Sequence, residues 1–161
     1  MMKYKESELQ IHCVSWFRCQ YPHYARLLEH PKNEGGAISH SQGAIAKAEG
    51  VQAGVADLML HVPAYINDAS IRHQECYQSL GIELKTKTGS QRPAQRVWQR
   101  LFEAAGSKYV IVRTFDDFKN EVTQYMKNVP VDVDTAVREA YEAIELEEKQ
   151  KAIKQFKKLI K

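Results

Sequence analysis

Two stretches decide how this chain is read: Gly54-Val55-Ala56-Asp57-Leu58-Met59-Leu60-His61-Val62, and further on Gly81-Ile82-Glu83-Leu84-Lys85-Thr86. The first is an apolar run of strand length introduced by a glycine, and the second alternates as a strand does. Residues two apart in a strand share a face, so Glu83 and Lys85 project together while Leu84 points to the other side. Asp57 stands at the start of the first strand. If the two strands are neighbours, Asp57 and Glu83 place two hard oxygen donors around one divalent cation. Mg²⁺ takes that kind of site, with waters or substrate phosphate at its remaining positions. Lys85 would then orient or activate a water, or stabilise charge on a phosphate.

A Glu-x-Lys alone carries little weight. Chance supplies about one in a chain of this length, and Glu147-x-Lys149 is a second instance. The setting carries the reading. Asp57 follows Gly54 on one expected strand, Glu83-Leu84-Lys85 lies on the next, and Gly89 and Pro93 lead into a helix bearing Gln95. Pro93 suits the first turn of that helix. Val97, Leu101 and Ala104–Ala105 are expected to face the core, and Gly106 ends the helix. Tyr109 to Val112 follows as a strand. Phe115 to Met126 is an amphipathic helix begun near Thr114, with Asp116 and Asp117 in the turn where the helix dipole favours acid.

Upstream, Leu9, Cys13, Trp16 and Phe17 fall at helical spacing between Glu6 and about Gln20, with Ile11 and Val14 widening the face. Pro22 ends that helix. Ala25 to Glu29 is expected as a short strand, Lys32 to Gly43 as a loop, Ala44 to Glu49 as a short helix and Pro63 to about Arg72 as a connecting loop. The order predicts an α/β sandwich whose mixed central sheet is flanked by helices.

The 161 residues, with Lys+Arg 23 against Asp+Glu 20, suit one compact domain plus an appendage. A net charge of +3 does not by itself name a polyanionic partner. Cys13, Cys19 and Cys76 form no CxxC pair, which argues against a disulfide scaffold or a structural zinc site. Cys13 and Cys19 read as helix-core and helix-rim residues. There is no HExxH pair, no nucleophile elbow around Ser39, Ser41 or Ser90, and no P-loop at Gly35-Gly36. His30 and His40 read as ordinary surface residues, and Trp98 as packing between helix and sheet. No apolar run approaches the roughly 18 residues of a membrane span, and MMKYKESELQ lacks a signal-peptide core, so a cytoplasmic protein is expected, with no membrane partner.

After Pro130 the chain changes in kind. Thr135 to Lys161 contains neither Gly nor Pro, is acidic from Glu139 to Glu148 and basic from Lys149 onward. The expected division is a domain over 1–129 and a C-terminal helical extension over 130–161, as one long helix or two shorter ones. Val137, Tyr141, Ile144, Ile153, Phe156 and Ile160 form an interrupted apolar stripe. Two copies laid antiparallel would cover it and set acidic halves against basic ones, so a homodimer is expected, the rival being docking of the tail on its own core.

Gly50-Val51-Gln52-Ala53-Gly54-Val55-Ala56-Asp57-Leu58, Ile82-Glu83-Leu84-Lys85, Gly89 and Gln95-Arg96-Val97-Trp98 together resemble the VRR-NUC domain, the virus-type replication–repair branch of the PD-(D/E)xK nuclease superfamily. Glu6-Ser7-Glu8-Leu9-Gln10 resembles its first helix. The resemblance spans roughly residues 5 to 126 and is greatest to the stand-alone phage and bacterial form. It departs at Ala56, where the family usually has proline. It implies a restriction-endonuclease-like core and a Mg²⁺- or Mn²⁺-dependent nuclease acting on DNA. The substrate implied is branched DNA, such as four-way (Holliday) junctions or flaps, met in replication, recombination or repair.

By the same resemblance Asp57 and Glu83 bind the metal, with the Leu84 carbonyl as a further ligand, and Lys85 is the catalytic lysine. Glu6 reaches the site directly or through water, and Gln95 orients Lys85, a water or the phosphate. Glu8 is the rival of Glu6, but Glu6, Gln10, Cys13 and Phe17 share one helix edge while Glu8 falls on a more polar side. Lys32, Lys47, Lys87, Arg92 and Arg96 are the basic residues expected to neutralise DNA phosphates. The alternatives are a non-catalytic DNA-binding or assembly module on the same fold, and an RNA endonuclease.

Overall fold

The structure, a computed structural model, describes residues 6–31, 40–66 and 75–159. These fall into two compact units that meet at Val129 and Pro130. The first opens with α1 (Glu6–Gln20), a 3-10 helix (Pro22–Leu27) and β1 (Leu28–Glu29). After α2 (His40–Ala48) come β2 (Leu58–Leu60), β3 (Ala64–Tyr65), β4 (Cys76–Tyr77) and β5 (Leu80–Leu84). The unit closes with α3 (Pro93–Ala104), β6 (Lys108–Val112) and α4 (Phe115–Met126).

Four strands form a mixed sheet in the order β1-β2-β5-β6. The β1–β2 and β2–β5 pairs are antiparallel and the β5–β6 pair is parallel. The sheet is mixed and flanked by helices, as the sequence predicts. Side-chain alternation gives it two differently used faces. Leu58, Leu60, Leu80, Ile82, Leu84 and Val112 are buried on one face, the side of α1 and α4. There Leu9, Cys13 and Phe17 of α1 and Phe118, Val122 and Tyr125 of α4 complete the core. Trp16 ties the two helices together, meeting Phe115 and Phe118 edge-on. Burial raises the Cys13 thiol pKa to about 12, so it behaves as a small apolar side chain. The other face carries Met59, Gly81, Glu83 and Tyr109, and α3 lies over it.

Several expectations are corrected. Val97 and Leu101 are 59% and 66% exposed; the residues of α3 that pack on the sheet are Trp98 and Phe102, against Ala56, Met59 and Tyr109. Both pairs have the same i, i+4 spacing and lie one residue apart. The sheet takes the aromatic pair, stacked at 4.4 Å, whose rings offer the larger apolar surface to bury. Ile11 is likewise exposed, so the apolar face of α1 is narrower than predicted. Most of Ala25 to Glu29 is 3-10 helix, and α2 begins four residues before Ala44 with Gly43 inside it. Ala64–Tyr65 pairs with Cys76–Tyr77 as a separate ribbon at the start of the stretch expected to be loop.

The second unit is a single helix, α5 (Val131–Leu159), four residues longer at its start than Thr135. Its side chains from Glu142 onward are exposed, Ile144, Ile153 and Phe156 among them. Ile160 lies outside the described residues. Among the described residues no helix is long and apolar enough to cross a membrane.

Candidate active site

The β2–β5 register pairs Leu58 with Ile82, and continuing it by one residue sets Asp57 opposite Glu83. Two local features bring Asp57 there. Gly54 has φ +88 and lies against the first turn of α3, so close that a Cβ would fall 2.4 Å from the Ala94 carbonyl carbon. Only glycine permits both that conformation and that approach. Ala56 is then buried beneath Trp98 and Phe102, a packing residue at the foot of α3. Asp57 follows, its Oδ2 accepting the Leu84 amide at 2.7 Å and its carbonyl accepting His30 Nδ1 at 2.6 Å.

Glu83 is fully buried, and its carboxylate is held on both oxygens. Lys85 Nζ lies 2.5 Å from Oε1, which also accepts Gln95 Nε2. Tyr109 Oη donates to Oε2 at 3.0 Å. The Gln95 amide is itself fixed, its Oε1 accepting the Arg92 amide at 2.8 Å at the start of α3. Asp57, Glu83, Lys85 and Gln95 thus meet at the C-terminal end of β5. Lys85 sits one residue past the strand, where its amide still donates to the Val112 carbonyl at 3.0 Å, and it is only 8% exposed.

Glu6 reaches the same end of β5: its Oε1 accepts the Thr86 amide at 3.1 Å, and its charge acts on Asp57. The turn that follows is clamped by Arg113, whose Nη1 donates to the carbonyls of Thr86 at 2.6 Å and Gly89 at 2.8 Å. Lys87 is exposed on that turn, Arg92 and Arg96 are exposed at the start of α3, and Lys47 is exposed in the last turn of α2. Arg96 also braces the loop, donating to the Gln91 carbonyl at 2.7 Å. Lys32 lies outside the described residues. Sequence reasoning missed Tyr109 and Arg113, since a tyrosine in a strand and an arginine just after one carry no motif.

Burial pushes the pKa values of both carboxyl groups up. For Asp57 the Leu84 amide and Lys85 pull the other way, while the Glu6 charge adds to the rise. For Glu83 the Lys85 contact opposes burial and the Asp57 charge reinforces it. A pair of carboxylates crowded out of water in this way gains from a hard divalent cation. Among the described residues no three His, Cys, Asp or Glu side chains gather to hold a metal by themselves. The two carboxylates of Asp57 and Glu83 are hard oxygen donors of the kind Mg²⁺ or Mn²⁺ takes, with water and phosphate supplying the rest. They do not fit a closed zinc site.

A solved structure described as a VRR_NUC domain protein superposes on this chain with a TM-score of 0.61, covering 80% of it and 93% of the other chain at 21% identity. The fold is that of a VRR-NUC domain. The resemblance read from the motifs is therefore borne out at the level of the fold. No family model matches the sequence, nor does any curated protein. Within the VRR-NUC fold, the predicted Asp57, Glu83, Lys85 and Gln95 occupy one end of β5, with Glu6 brought in from α1.

Proposed function

We propose that this chain is a divalent-metal-dependent endonuclease that hydrolyses DNA phosphodiester bonds, with branched DNA as its substrate. The observation that carries the reading is the convergence of one buried and one partly buried carboxylate, an ion-paired lysine and a glutamine at the end of one strand of a VRR-NUC fold. Asp57 and Glu83 would hold Mg²⁺ or Mn²⁺, with the Leu84 carbonyl as a further donor and Glu6 acting directly or through water. Such an ion, when bound, neutralises charge developing on the phosphate and lowers the pKa of a water. Lys85, kept in place by Glu83, donates to the reacting phosphate, and Gln95 fixes the Glu83 carboxylate from α3. Lys47, Lys87, Arg92, Arg96 and Lys32 hold DNA through its backbone without reading sequence.

The deciding assay incubates the full chain with labelled four-way junction, flap, splayed-arm, duplex and single-stranded DNA, and the matching RNAs, with Mg²⁺ or with EDTA. Cutting of the branched DNAs in Mg²⁺ alone is expected. Binding with no cutting favours a non-catalytic module, and cutting of RNA alone favours a ribonuclease.

The chain also acts, in this proposal, as a homodimer through α5. Ile153, Phe156 and Leu159 are exposed on that helix, which is acidic in its first half and basic in its second. Light scattering should give twice the 18.5 kDa chain mass. A mass of one chain overturns the dimer and leaves the nuclease reading untouched.

A further inference from the structure

Resting on that reading, we propose that Tyr109 is a positioning residue that fixes which oxygen of Glu83 meets the cation. An ionised carboxylate offers about four acceptor directions, two on each oxygen. Lys85 and Gln95 both bind Oε1, so its two directions are filled. Tyr109 fills one on Oε2 and leaves the other. The acceptor capacity that Glu83 retains thus lies on the oxygen that Tyr109 holds.

The phenol is itself placed from two sides. On β5, Gly81 pairs with Tyr109 in the parallel register and shares a face with Glu83. A Cβ at Gly81 would lie 3.3 Å from Tyr109 Cδ2 and 3.0 Å from Phe102 Cε1. The bare backbone at Gly81 therefore lets the Tyr109 ring lie across β5 and bring its hydroxyl to the next residue on that face, which is Glu83. From α3 and the loop before it, Gln91 Nε2 donates to Tyr109 Oη at 3.3 Å and to Gln99 Oε1 at 2.8 Å. Gln99 Nε2 in turn donates to Glu103 at 2.9 Å. A chain of side chains thus runs from Glu103 along α3 to the buried Glu83. Packing alone does not ask for this hydroxyl, since phenylalanine fills the same space against Trp98 and Phe102. Partners that orient a ligating carboxylate govern metal affinity by about tenfold to a hundredfold.

The test titrates Mn²⁺ alone into the full chain by calorimetry, for wild type and Tyr109→Phe, with circular dichroism confirming that both are folded. Tyr109→Phe should weaken Mn²⁺ binding by about tenfold or more. Its cleavage rate should fall at low Mn²⁺ and return toward the wild-type rate at saturating Mn²⁺. Wild-type Mn²⁺ affinity in the variant overturns the inference, as does a rate loss that saturating Mn²⁺ leaves in place. A wild-type chain that takes up no Mn²⁺ overturns the metal-dependent reading and this inference with it.

Discussion

Asp57→Asn and Glu83→Gln are each expected to lower Mg²⁺-dependent cleavage of DNA by on the order of a thousandfold, about 4 kcal/mol of barrier. Either change preserves side-chain shape and removes one of the two charges available to a cation. Lys85→Ala should lower the rate by about a hundredfold or more while binding of DNA measured in Ca²⁺ changes little, because the exposed basic residues do the holding. The stabilities should separate the carboxylates. The Asp57 pKa is raised by burial above its unfolded value of about 3.9. The folded state therefore binds the extra proton, and this contribution to stability, complete below about pH 4, is lost as pH rises through the folded value. Asp57→Asn escapes that loss and still offers an oxygen to the Leu84 amide. Without metal it should melt above wild type at pH 7, with the gap closing toward pH 4. Glu83→Gln has no such gain, since it leaves the nearly buried Lys85 ammonium without its carboxylate. Full activity of either carboxylate variant, or of wild type in EDTA, would sink the metal mechanism.

The extent to which the sequence disclosed this arrangement follows from the range of the forces involved. Strand alternation from Gly81 to Thr86 and the apolar run after Gly54 are local signals, and they put Glu83 on one strand and Asp57 at the head of another; that the two strands are neighbours comes from the β2–β5 pairing. Capping is equally local: Thr114 accepts the Asp117 amide at 3.1 Å, where the helix start was read. Helix phase is less local. Val97/Leu101 and Trp98/Phe102 are equivalent by spacing, and only packing against Ala56, Met59 and Tyr109 chooses between them. Contacts that cross the fold left no trace in the sequence. Arg113 reaches back to Thr86 and Gly89, and Tyr109 to Glu83, through the parallel β5–β6 pairing, so neither could be found from spacing. Glu6 lies between these cases: helix periodicity put it on the core-facing edge of α1, and the Thr86 amide shows where that edge leads.

Gly54→Ala is expected to be the most damaging small substitution in the loop that carries Asp57. The left-handed φ of +88 costs an alanine about 1–2 kcal/mol. The added methyl also meets backbone and not a yielding side chain: 2.4 Å from the Ala94 carbonyl carbon, 2.5 Å from its oxygen and 2.7 Å from the Gln95 amide nitrogen. Overpacking of that kind adds about 1–3 kcal/mol, so a total near 3 kcal/mol and a melting point lower by about 10 °C are expected. Gly50→Ala supplies the control, because Gly50 has a similar φ of +94 and nothing within 4 Å of the added carbon. It should lose about 1 kcal/mol, the conformational part alone. Urea unfolding of the two variants measures the difference, which isolates the contact between loop and helix. Equal losses would mean that the loop does not bear on α3. The contact has a catalytic consequence as well. Asp57 is carried by the loop on one side of it and Gln95 by the helix on the other, so any separation that relieves the methyl also draws Gln95 from Glu83. Gly54→Ala should therefore cleave DNA more slowly than Gly50→Ala at temperatures where both are folded.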